Sequence, residues 1–388
     1  HSFPTRRSSD LRKSQGRIKG AKEKRIKAIR TQCDFTILFT VGLLVLFGLV
    51  MIFSSSYYYA LNHFNDMYYF LKKQALWSVI GFSAMIFMMN YDYKNIKLLA
   101  IPGYIVSQIL LVLVLLIGQK VNGSKRWLFG FQPSELAKLT IIFFMALIIS
   151  YNRNKLKKFS GLLFYLIFVA IPVVLIAIQN LSTAIVVLFI GVAMLFVASP
   201  KIWHFFVLAL PVLGGGAAAV MLPQFAYRLD RIQIWKNPWI DPTGKGYQPI
   251  QSLYAVGSGG LFGLGLGESR QKLGFIPEAH NDIIFAIVCE ELGLVGAIAL
   301  LSLFLILIWR GIKVAINAPD LFSSLVASGI VCMIGIQVLI NVAVITKTIP
   351  TTGMPLPFIS YGGSSLLFTM SAMGILLNIS RYSKLNKL

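Results

Sequence analysis

The sequence predicts an all-α polytopic membrane protein of about ten transmembrane helices, with one long extracytoplasmic loop between spans 7 and 8. Three observations carry this. Of 388 residues, 56% are hydrophobic and only 13% charged, and the mean hydropathy is +0.74; a soluble domain of this length needs far more charge to cover its surface. The apolar residues cluster in runs of about 17 to 25, the length that crosses roughly 30 Å of hydrocarbon as a helix. The basic residues behind the net charge of +22 mostly flank these runs, so topology and anionic headgroups account for them better than nucleic acid.

The N-terminal end comes first. Residues 1–11 match the translation of a common sequencing adaptor and are set aside as an artefact; without them the charge is +21. Residues 12–33 hold nine Lys/Arg and one Glu and read as a basic cytoplasmic arm. The predicted spans are 35–55, 75–91, 98–118, 133–151, 161–178, 183–199, 203–222, 283–308, 322–346 and 357–379. The first follows Asp34 and carries no charge; it is too long for a cleavable signal peptide and lacks a small-residue cleavage pattern. With the N-terminus inside, the inner segments hold 21 Lys/Arg. The outer ones hold 12 over a longer length, six of them in the loop 223–282 beside five acidic residues. Both termini, including the tail 381–388, are then cytoplasmic. Cys33, Cys289 and Cys332 form no CxxC pair and read as small apolar fillers.

Polar constellations interrupt the apolar pattern in chain order. Before span 4 come Lys125-Arg126, and Gln132-Pro133-Ser134-Glu135-Leu136-Ala137-Lys138 runs into it, placing Lys138 inside an otherwise apolar span. Pro133 suits the first helical turn, which puts Glu135 and Lys138 on one face. They form either a structural ion pair or the wall of a cavity for an anionic headgroup. The loop 223–282 is too long for a simple connection; its apolar stretch Ile250 to Leu266 could lie along the interface or re-enter the membrane. Gly263-Leu264-Gly265-Leu266-Gly267 has no βαβ unit around it, and Gly244-Lys245-Gly246 lacks P-loop spacing, so neither binds a nucleotide. Pro277 to Asp282 runs straight into span 8, where Asp282 is either a helix N-cap or a general base at the mouth of the bundle. Glu290 and Glu291 follow within the span, where acids more often hold helices together or line a cavity. Pro350 to Ser365 holds three prolines and three glycines; it either exposes backbone amides to an anionic or polar substrate or packs helices through small residues.

Together these segments resemble the SEDS family (shape, elongation, division and sporulation) of bacterial peptidoglycan polymerases. The match is carried by Gly48 to Ser56, by Arg126-Trp127 through Lys138, by Gly246-Tyr247-Gln248 through Gly257-Ser258-Gly259-Gly260 to Glu290-Glu291-Leu292-Gly293, and by Pro350 to Ser365. It covers nearly everything from Asp34 to the C-terminus. Tyr227-Arg228-Leu229, Asn237-Pro238-Trp239 and Asp241-Pro242 look more like the division branch, with its sporulation relative, than the elongation branch. The chain departs from the family at His280-Asn281-Asp282, where Thr is usual in the middle, and at Gln179-Asn180-Leu181-Ser182-Thr183, which lacks the usual Pro and Asp.

The resemblance implies a glycosyltransferase that polymerises lipid II at the outer face of the bacterial cytoplasmic membrane, at the division septum. It implies Asp282 as the catalytic base; from their charge and position, Arg126 and Lys138 are the candidates to stabilise the leaving pyrophosphate. Lys125, Gln132, Glu135, His280, Ser360, Ser364 and Ser365 complete the candidate substrate-binding set. No metal ligand is assigned, although a divalent cation (Mg or Mn) could assist. A class B penicillin-binding transpeptidase, other division proteins and membrane lipids are the implied partners, with no nucleic acid. The competing readings are a lipid II flippase, a scaffold that recruits a partner, or a sporulation or elongation paralogue.

Overall fold

The computed structural model describes residues 33–121, 124–128, 130–207 and 226–383. The adaptor-like stretch, nearly all of the basic arm, most of predicted span 7 and residues 384–388 lie outside it. The described helices are α1 (Phe35–Phe64), α2 (Tyr69–Asn90), α3 (Tyr93–Ile117), α4 (Pro133–Asn152), α5 (Phe159–Ala177), α6 (Leu181–Ala198), α7 (Ala226–Lys236), α8 (Tyr247–Ser258), α9 (Ile284–Ile316), α10 (Leu321–Ile345) and α11 (Gly363–Ser380). Among the described residues, eight helices are long and apolar enough to cross a membrane. Helix α2, at 22 residues, is less apolar; it has the length to span, about 33 Å, and packs along α11. One feature departs from all-α: a short antiparallel hairpin of β1 (Gln119–Val121) and β2 (Ser124–Trp127) precedes α4.

Local chemistry sets the helix ends. The Asp34 side chain accepts from Ile37 N and caps α1. Pro133 opens α4 as its spacing predicts, and Asp320 with Ser323 forms a capping box on α10. Pro172 inside α5 cannot donate to the Phe168 carbonyl; Tyr104 Oη of α3 donates to it instead, at 2.8 Å.

Hydrogen bonds between helix ends define two faces. On one, Arg310 at the end of α9 binds Asp34 Oδ2 at 2.6 Å, and Asp34 N donates to Ser380 Oγ at the end of α11. Asn378 also donates to the carbonyls of Met89 and Tyr91 at the end of α2. The opposite face collects the ends of α1, α3, α5 and α10 and the starts of α4, α6, α9 and α11.

The loop 223–282 holds α7, a 3-10 turn (Pro238–Ile240), α8 and a glycine-dense stretch. That stretch re-enters the bundle. Helix α9 breaks at Gly293, where φ is +66° and ψ is −164°. Leu264 N and Gly265 N donate to the carbonyls of Glu290 and Glu291, while Leu294 N and Val295 N donate to Gly260 and Leu261. The break lies nine residues into α9, roughly 14 Å from its start. Irregular backbone at that depth requires such full pairing. A Cβ on Gly293 would stand 2.3 Å from Gly263 N, so glycine is required there for contact as well as for conformation.

Two buried polar knots secure the same segment. Lys272 Nζ pairs with Glu291 Oε1 at 2.6 Å, both side chains fully buried, and Ser54 Oγ of α1 donates to that carboxylate. Glu290 accepts from Ser269 Oγ and from Arg270 N at 3.0 Å. Both glutamates therefore hold the re-entrant segment to the bundle, which compensates charges that are costly in a membrane interior.

Candidate active site

Three stretches converge on the face opposite Asp34: the end of the re-entrant segment, the C-terminal end of α10, and the block Pro350–Gly362. The N-cap position of α9 is Ile283 and draws no side-chain hydrogen bond, so Asp282 does not cap the helix. Its main-chain oxygen accepts from Asn341 Nδ2 at 2.8 Å, and the same nitrogen donates to Met354 O at 2.7 Å. Ser182 Oγ, at the start of α6, donates to Thr352 O at 2.7 Å. The departures from the family pattern at 179–183 thus leave a segment that still grips the proline-rich block.

Asp282 is half-buried and lines a cavity of about 350 Å³ with Arg231, Trp235, Lys245, Gln248 and Lys347. Ile234, Ile283, Val344, Ile345 and Ile349 supply an apolar side. Trp235 Nε1 donates to Lys347 O at 2.9 Å and ties α7 to the end of α10. Burial, and then the negative charge of Glu278, push the Asp282 carboxyl above its ordinary range. The site therefore offers one carboxylate with raised proton affinity in the same cavity as three cations, a space the size of a small-ligand pocket. Such a base accepts a proton near neutral pH better than an exposed aspartate does.

The predicted binding residues divide among several places. Lys125, Arg126 and Gln132 line a second, narrower cleft with Gln179 and Asn180. Lys125 N donates to Gln179 Oε1, and its Nζ donates to Leu116 O near the C-terminal end of α3. Burial, and then the repelling charge of Arg231, hold Arg126 below the usual guanidinium range. Glu135 and Lys138 form a buried pair at 2.9 Å on α4, away from the lining of the described cavities. His280 is 2% exposed and lies among the rings of Tyr59, Phe70 and Tyr361; burial holds its imidazole down to about 4. Ser360 Oγ accepts from Leu356 N within its own turn. Ser364 is buried and Ser365 half-buried in the first turn of α11.

Residues 34–385 match the FtsW/RodA/SpoVE family, described as cell cycle proteins. The chain belongs to that family. It is 45% identical to Stage V sporulation protein E of Bacillus subtilis over 370 residues, covering 92% of this chain and 99% of the relative. It is 41% identical to the probable peptidoglycan glycosyltransferase FtsW of Geobacter sp. (strain M18), covering 89% of this chain and 96% of the relative. A solved chain from a peptidoglycan synthase complex that coordinates polymerization and crosslinking superposes with a TM-score of 0.76 at 29% identity, covering 91% of this chain and 99% of its own. The rod shape determining protein RodA of Thermus thermophilus gives 0.65 at 27%, covering 91% and 98%.

Sequence reading missed Arg231, Trp235, Lys245, Lys347 and Asn341. Signals existed for some of them. Arg231 and Trp235 are four apart, on one face of α7. Asn341 is a polar residue inside an apolar span. Lys245 sat within a glycine pair weighed only as a nucleotide loop.

Proposed function

We propose that this family member is a peptidoglycan glycosyltransferase that joins lipid II units into glycan strands, working from the outer face of the cytoplasmic membrane with both termini inside. The observation that carries this is the Asp282 carboxyl, raised in proton affinity, lining one cavity together with Arg231, Lys245 and Lys347. Relatives named as peptidoglycan glycosyltransferases support it.

In this mechanism Asp282 takes the proton from the sugar 4-hydroxyl of the acceptor. The oxygen attacks C1 of the donor sugar, the C1–O bond to pyrophosphate breaks with inversion, and undecaprenyl pyrophosphate leaves with the bonding electrons. Negative charge develops on the leaving group, where the three cations stabilise it. This gives the leaving-group role to Arg231, Lys245 and Lys347; Lys138 neutralises Glu135, and Arg126 lines the second cleft. The apolar wall of isoleucines receives the start of the lipid chain. Among the described residues no cluster of three His, Cys, Asp or Glu forms a metal cage of its own, and Asp282 is the one carboxylate in the cavity lining, beside three cations; a divalent cation there would need the substrate's phosphates as ligands.

The likeness to a chain of a synthase complex supports a class B penicillin-binding transpeptidase as partner; the division septum as its place of work is in keeping with the family's description as cell cycle proteins. The test is purified chain, with that partner, given lipid II in detergent, where flipping has no meaning. Polymer that disappears with Asp282→Asn supports the enzyme. Absence of polymer together with lipid movement in vesicles would instead establish a flippase.

A further inference from the structure

We propose that Asn341 is a positioning residue for Asp282, clamping the aspartate's main chain to the turn at Gly353 so that the carboxylate keeps a fixed wall behind it. This rests on the catalytic reading of Asp282 given above.

Asn341 is 1% exposed on α10, between buried Val338 and Ile345. Its Nδ2 donates to two carbonyls from separate stretches, Asp282 O at 2.8 Å and Met354 O at 2.7 Å. Both partners only accept, so the amide has one orientation. Its Oδ1 is buried without a partner among the described residues. A leucine of similar volume would avoid that cost in an apolar span, so the side chain's contribution lies in its two donated bonds. The turn is gripped from the other side as well, because Ser182 donates to Thr352 O. Gly353 sits between these two anchored carbonyls, and a Cβ there would lie 3.7 Å from Asp282 Oδ2. The clamp therefore fixes the wall of the carboxyl's own environment.

The charged groups around Asp282 are Glu278 from its own segment, whose charge acts on it, and the cavity-lining Arg231 from α7, Lys245 before α8 and Lys347 after α10. Releasing the turn admits water beside the carboxyl. The carboxyl then falls toward its ordinary value, and the misplaced base turns over more slowly.

The experiment measures lipid II polymerisation against pH and substrate concentration for wild type, Asp282→Asn, Asn341→Leu and Ser182→Ala. Thermal unfolding in the same detergent is followed in parallel. For Asn341→Leu, kcat should fall about 10- to 100-fold, KM should stay within about threefold, and the acid limb of the rate should move to lower pH. Ser182→Ala should move the limb the same way by less, and it carries the test if Asn341→Leu does not fold. A folded Asn341→Leu with wild-type kcat and pH profile overturns the clamp, as does a loss with the acid limb unmoved in both variants. If wild type polymerises, Asp282→Asn does not, and Asn341→Leu matches wild type, only the clamp falls. If wild type itself makes no polymer, the glycosyltransferase reading falls and takes the clamp with it.

Discussion

Gly353 packs against the carboxylate of Asp282, with its φ at +66° and its missing Cβ 3.7 Å from Asp282 Oδ2. Two distant parts of the chain meet there, and the conformation at residue 353 is one that a side chain resists. Gly353→Ala is therefore expected to cost about 1–2 kcal/mol of stability from the left-handed backbone. It should also slow polymerisation by about tenfold through displacement of the turn. Calorimetry in detergent and kcat at saturating lipid II check the two effects separately.

The second expectation concerns pH. Catalysis needs Asp282 deprotonated, and burial raises its proton affinity, so activity should fail on acidification at a higher pH than an exposed aspartate would set. Glu278 adds to that rise. Glu278→Gln removes one negative charge and should shift the acid limb to lower pH, with folding intact. A limb that stays in place or moves upward would show that Glu278 does not act on Asp282.

His280 is expected to serve packing rather than substrate. Its imidazole titrates near 4 inside the fold against an ordinary 6.5. The unfolded chain therefore takes up the proton first. Stability from the neutral ring is complete above about 6.5 and is lost as pH falls toward 4, by at most about 3 kcal/mol. His280→Phe should keep stability at pH 7 within about 1.5 kcal/mol, flatten the stability profile between pH 6.5 and 4, and retain polymerisation. Loss of activity with a sound fold would return His280 to the binding set.

The buried pair Lys272–Glu291 offers a double-mutant cycle. Lys272→Met or Glu291→Met alone leaves an uncompensated charge in an apolar interior and should cost about 3–5 kcal/mol. The double variant should be markedly less damaging than the sum, because both desolvation costs vanish together. Additive losses in thermal unfolding would mean that the pair does not hold the re-entrant segment.

Much of this architecture was legible in advance. Span lengths, the opening of α4 at Pro133 and the Glu135–Lys138 pairing follow from apolar run length and helical periodicity, which are local properties. Asp282 stood out as an acid at a span boundary, but spacing could not choose between cap and base. The break at Gly293 was not legible, because its cause is the docking of residues 260–265 about thirty positions earlier. Ion pairs such as Lys272–Glu291 were hidden for the same reason.

By itself the sequence determined the solvent, since a chain this apolar with so little charge must place its helices in lipid and bring its charges to the ends or into pairs. Only the tertiary structure decided which charges share a cavity. Arg231, Lys245, Asp282 and Lys347 meet because a re-entrant segment, a short helix and the end of α10 fold over one another. Such contacts depend on backbone pairing between segments far apart in the chain, which leaves no periodic trace in residue order.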